Sequence, residues 1–205
     1  MTEARAARVA AVIGAVARQC LADRGARRVA LLDDGSPEAV YAARVLREAL
    51  GEGAVVRVAV DDADLEPLLH LGGPRARLAD EARRMRARLL EGAVAAHPAH
   101  KTELLLGPSL PPDPLLPLGD LYASEVAELA GGWSASDEVR ALAGAAGGVE
   151  ALDAALRHRV EGRDPSALDA LPEARRRFEA GRAARLAPRV VPKLGTRTLG
   201  ADLLE

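Results

Sequence analysis

The chain has 205 residues, 49% of them hydrophobic but only 2% aromatic, so its core must be built from alanine, leucine and valine. Charged residues make up 28% and the formal net charge is −2, a balance that argues against nucleic-acid binding by bulk positive charge and against an acidic tail protein. No apolar run approaches the ~20 residues of a membrane span and the start carries no signal-like apolar stretch, so the expectation is one soluble, cytoplasmic domain, residues 1–205.

Residues 3–23 read as a helix, with Val9, Val12, Ile13, Val16, Cys20 and Leu21 at helical spacing and Gly25 beyond its end. Cys20, the single cysteine, falls on that apolar face and reads as core. Arg28–Leu32 is a short apolar run of strand length, followed at once by Asp33-Asp34-Gly35-Ser36-Pro37-Glu38. Ser36 is a good N-cap and Pro37 a good first helical residue. The helix they open runs to about Leu50, with Val40, Ala43, Leu46 and Leu50 expected inward, and stops at Gly51. Val55–Val60 is a second β-branched run. Strand, tight loop, capped helix and strand make a βαβ unit, hence a parallel sheet with its ligand cleft beyond the carboxyl ends of the strands.

Arg75–Leu90 reads as an Arg-rich helix, Gly92–Ala96 as a short third strand, and His97–Leu106 as a turn followed by a short apolar helix. Five prolines between Pro108 and Pro117 dictate a rigid, irregular loop. Leu121–Leu129 and Val149–Val160 read as helices, Pro172–Leu186 as a basic one, and the small-residue stretches Gly131–Gly132 and Ala143–Gly148 as loops.

A βαβ loop is where phosphate chemistry is expected, because a helix N-terminus offers free N–H groups and partial positive charge. Here Asp33, Asp34 and Glu38 crowd that end, and the favoured reading is that these carboxylates satisfy the helix dipole themselves. A metal-binding acidic loop and a direct anion site are the lesser readings. His97 and His100, near Glu103, allow a metal site on paper, but Pro98 interrupts the helix that would align them. The Arg-dense stretches 81–88 and 173–185 read first as solvated, ion-paired faces and second as contacts for an RNA or a phosphate-bearing partner.

Five segments carry a resemblance to a known family. His100-Lys101-Thr102-Glu103-Leu104-Leu105-Leu106-Gly107 is similar to the "NKTELLLG" segment of NAD synthetases. Pro117-Leu118-Gly119-Asp120-Leu121-Tyr122-Ala123-Ser124-Glu125-Val126-Ala127-Glu128-Leu129-Ala130 resembles their "PLGDLYKTEVRELA", and Pro192 to Gly200 their C-terminal tail. Trp133-Ser134-Ala135-Ser136-Asp137-Glu138 resembles "LWxGQTDE", and Leu152-Asp153 with Val160-Glu161-Gly162 the next helix. The resemblance implies an adenine-nucleotide α-hydrolase-like, Rossmann-like α/β fold with a parallel sheet flanked by helices, and a homodimer. It implies ATP and Mg2+ as cofactors. It also implies the ammonia-using reaction, in which ATP adenylates the carboxylate of deamido-NAD and ammonia then displaces AMP.

Within that resemblance, Gly35, Ser36 and Ser136 fall on ATP-binding positions, Glu103 on a magnesium ligand, and Arg83 and Asp113 or Asp120 near the dinucleotide. The departures share a sense. The family's phosphate loop, Ser-Gly-Gly-x-Asp-Ser, falls on Asp33 to Glu38, where only Gly35 matches. The loop's magnesium-binding Asp is Pro37 and its phosphate-binding Ser is Glu38. A phosphate-contacting Lys is Ala123, the His-Lys near the tail falls at or near Ala183-Ala184, and the stretch between Val60 and Gly73 is shortened. Positions of the scaffold are kept while groups that hold a triphosphate are replaced, so adenylyl transfer, which depends on positioning and charge stabilisation, is expected to be impaired or lost. Two functions follow: an amide-forming ligase with an altered ATP site, or a non-catalytic relative serving as a weak nucleotide-binding, dimerisation or interaction module.

Overall fold

The structure, a computed structural model, describes residues 3–33, 35–59, 92–107, 114–181 and 189–194. Helix α1 (Glu3–Asp23) leads into β1 (Arg28–Asp33), α2 (Pro37–Leu50), a 3-10 turn at Glu52–Ala54 and β2 (Val55–Ala59). Strand β3 (Ala93–Ala96) follows, then α3 (Lys101–Leu106), α4 (Ala123–Ala130), α5 (Asp137–Ala146), α6 (Val149–Val160) and α7 (Pro172–Ala180). The strands run parallel in the order β2-β1-β3, with Val29 opposite Val55 and Val94, and Leu31 opposite Arg57 and Ala96. Single parallel bridges, Ala96 to Leu115 and Leu115 to Val190, carry the pairing past β3. The α/β expectation therefore holds: a parallel sheet flanked by helices, with no helix among the described residues long and apolar enough to cross a membrane.

Central β1 is buried from Val29 to Leu32, as a strand covered on both faces must be. One apolar cluster joins α1, α2 and the sheet through Ile13, Ala17, Cys20, Leu31, Leu46 and Val94. Helices α1 and α2 approach so closely that a Cβ on Gly14 would lie 2.5 Å from the Cβ of Ala49. A second cluster, around Leu105, Leu116, Leu152, Leu156 and Phe178, packs α3 with α5, α6 and α7. This second cluster is mostly leucine and also takes in Tyr122.

Two expectations are corrected. Val40 does not face inward: it is 52% exposed, while Ala39, Ala42, Ala43 and Leu46 form the buried stripe of α2. Ala43 and Leu46 stay on the stripe as expected, and Ala39 and Ala42 are buried in place of Val40. Ala143–Ala146 is not a loop but the last turn of α5, a helix absent from the sequence reading. Burial of Val139, Leu142 and Ala143 decides its state over the glycines, and Gly147, at φ 88°, ends it. Helix α4 begins at Ala123 rather than Leu121, and α7 is described to Ala180. The expected helix 75–90, with Arg83, and the positions Asp34, Asp113 and Ala183-Ala184 lie outside the described residues.

Candidate functional site

Two strand-to-helix turns lie at the carboxyl end of the sheet, one after β1 and one after β3. In the first, Gly35 adopts φ +76°, a conformation that glycine reaches without strain, and Ser36 caps α2 by accepting the Ala39 N–H at 3.1 Å. Asp33 does not cap the helix. It accepts the Gly35 N–H at 3.2 Å and pairs with Arg57 of β2 at 2.6 Å. The Arg57 guanidinium holds its carboxyl below the usual range, against an opposing push from burial.

Glu38 behaves unlike a surface acid. It is 2% exposed, and its two oxygens accept the Ser134 N–H at 2.5 Å and the Ser134 hydroxyl at 2.8 Å. Ser134 belongs to the α4–α5 loop, 96 residues away. The same loop presses Gly132 on Pro37, where a Cβ on the glycine would come within 3.3 Å of the proline ring.

The second turn holds that loop from the other side. His100 caps α3 with Nδ1, which accepts the Glu103 N–H at 3.2 Å, so the ring proton sits on Nε2 and is donated to the Ser134 carbonyl at 3.0 Å. Trp133 meets the His100 ring edge-on at 6.3 Å between centroids. Glu103 accepts the Ser136 N–H at 3.4 Å. Burial pushes the Glu103 carboxyl upward, more than His100 and Ser136 pull it down. Ser136 itself caps α5, accepting the Val139 N–H.

Behind this, Lys101 and Asp120 form a wholly buried ion pair at 3.3 Å, both side chains 0% exposed. The second Asp120 oxygen accepts the Leu194 N–H at 2.8 Å, and the Lys101 ammonium lies 5.0 Å from the centre of the Tyr122 ring. Thr102 donates to Asp153 at 2.5 Å and accepts the Ala123 N–H at 3.0 Å, while Asp153 also accepts the Ser124 N–H at 2.7 Å. Burial raises the Asp153 carboxyl above its usual range despite these bonds. Four successive side chains, His100 to Glu103, thus fasten later segments: His100 and Glu103 the α4–α5 loop, Lys101 the Asp120 turn, and Thr102 helix α6.

The expected site residues therefore divide. Gly35, Ser36, Glu103 and Ser136 come together at one end of the sheet, linked through Glu38, Ser134 and His100. Asp120 lies behind them in the buried pair. His97 accepts the Ala99 N–H within its own turn at 3.1 Å. The Arg-dense stretch of α7 is ion-paired: Arg175 to Asp169 and Glu179, and Arg176 and Arg177 to Glu173, whose carboxyl is held down to about 2. What sequence reasoning missed is the clasp between Glu38 and Ser134. Both residues lay in segments it singled out, but nothing in one dimension joined them.

No family model and no curated protein matches this chain. Among solved structures it is similar to the NH3-dependent NAD synthetase from Campylobacter jejuni, determined in complex with nitrate ion, with a TM-score of 0.61 over 92% of this chain and 98% of that one. The chain has an NAD synthetase-like fold. At 16% identity the likeness is one of fold.

Proposed function

We propose that the chain is an NAD synthetase-like domain, residues 1–205, whose ATP site has become internal structure. It is a non-catalytic relative that serves as a dimerisation or interaction module with weak nucleotide binding or none. The observation that carries this reading is the buried Glu38 carboxylate at the start of α2, fastened by two hydrogen bonds to Ser134. A triphosphate tail against that helix end would meet Glu38, and at an effective dielectric near 20 each carboxylate–phosphate pair about 5 Å apart costs ~3 kcal/mol. It would also have to displace the 131–136 loop.

Magnesium and ATP, which the resemblance implies, do not fit the residues present. Pro37 stands where the resemblance places a metal-binding Asp. Glu103 remains, but it is engaged by Ser136 and burial favours its neutral form. Among the described residues no three His, Cys, Asp or Glu side chains are grouped to hold a metal. Homodimerisation, implied by the resemblance, belongs to the same proposal.

The second reading, an amide-forming ligase with an altered ATP site, is favoured by the convergence of Gly35, Ser36, Glu103 and Ser136 at one sheet end. Incubation of the folded chain with deamido-NAD, ammonia and Mg-ATP separates the two. The proposal expects no AMP above the protein-free blank. AMP formed one-for-one with the amide would overturn it.

A further inference from the structure

We propose that the groove on the outer face of α2 is a binding site for a small multivalent oxyanion, gripped by Arg44, Arg47 and Arg57. It is a cavity of about 290 Å³ whose lining includes Val40 and Ala43, with Glu38 and Ser134 outside it. Val40 is the large hydrophobic side chain that α2 leaves exposed. Arg44 and Arg47 stand three residues apart on one helix face, as neighbours on the same wall, and Arg57 reaches in from β2. Planar guanidinium forks of this kind match carboxylate and phosphate oxygens in pairs.

The donors are placed before any ligand arrives. The Arg44 guanidinium lies 5.2 Å from the centre of the Tyr41 ring, a cation–π contact on the same helix. Arg47 Nε is buried and makes no hydrogen bond among the described residues; its ionic approach to Glu52 is 3.4 Å, and that carboxylate is 85% exposed. The Arg47 guanidinium is thus held by an ionic contact to an exposed carboxylate, which a ligand oxyanion can replace. Glu48 and Glu52 line the same cavity; both are exposed, and water screens them more than it screens Arg47. Arg57 is shared with Asp33. An anion that draws Arg57 away loosens the Asp33 carboxylate, which carries the Gly35 N–H, so occupancy of the groove is reported at the start of α2.

The test titrates the full chain with inorganic pyrophosphate and, separately, with citrate, following the Gly35 amide by NMR. The site predicts saturable binding of at least one of them. Pyrophosphate alone would assign phosphate chemistry, citrate alone polycarboxylate chemistry, and both a general oxyanion site. The double variant Arg44→Ala/Arg47→Ala, with an unchanged melting temperature, should bind about tenfold or more weakly, since two charge-assisted hydrogen bonds are lost. Glu52→Gln should bind more tightly than the parent. No saturable shift with either anion, or equal affinity in the double variant, overturns the proposal. Should the double variant not fold, Glu52→Gln decides, and equal or weaker binding there overturns it as well.

Discussion

The turns after β1 and β3 are built on the same plan, strand into capped helix, yet they are filled in opposite ways. After β3, His100 to Glu103 are engaged inward, and every side chain has a partner far along the chain. After β1, Asp33 is held by an arginine of the neighbouring strand and Glu38 by a loop serine. The lesson concerns what a retained motif means. The stretch that most resembles a catalytic family is explained, residue by residue, by bonds that hold this chain together, so its presence does not require catalysis. The turn after β1 is occupied by carboxylates with structural partners.

The comparison breaks most visibly at Lys101. Asp120→Ala leaves a fully buried ammonium without its carboxylate and frees Leu194 N–H, so it should destabilise the fold by ~3–5 kcal/mol in urea unfolding. A loss below about 1 kcal/mol would show that the second turn is not a structural brace. Leu105→Ala, in the apolar cluster beneath that turn, should cost ~2–4 kcal/mol. An unchanged melting temperature would place Leu105 outside the core.

Glu38→Ala removes two hydrogen bonds to a buried carboxylate and should cost ~1–3 kcal/mol. Ser134→Ala removes one of them, and a double-mutant cycle should show the pair to be coupled; strictly additive losses would mean that the clasp contributes nothing.

The smallest effect is one of sign. Asp33 has a lowered carboxyl, so its contribution is present above the unfolded value and fades as pH falls through the folded one. Glu103 and Asp153 have raised carboxyls, so theirs is full below the unfolded values and fades as pH rises through the folded ones. Between about pH 3 and 7, Asp33→Asn should flatten the rise of stability with pH, whereas Asp153→Asn should steepen it. Shifts of the same sign in both variants would erase the distinction between the two turns.

Local chemistry made much of the fold legible. Ser36 before Pro37, Gly51 after Leu50 and the β-branched runs fixed strands and helix ends to within a residue or two. Helix α5 was hidden because alanine and glycine in Ala143–Gly148 resemble a loop until Leu142 and Ala143 find their core partners. Val40 was misplaced because apolar spacing alone does not choose between it and its neighbours Ala39 and Ala42. The candidate site was legible as separate pieces. Ser134 on Glu38 and Asp153 on Thr102 join residues 96 and 51 positions apart, and no local pattern encodes such contacts.

The central claim, that the head of α2 is closed by its own chain, is tested most directly by a crystal structure of the protein grown with ATP and magnesium. The account predicts Ser134 still bonded to Glu38 and no phosphate at the Gly35 or Ser36 amides. An ordered triphosphate over Gly35, with Ser134 displaced, would contradict it.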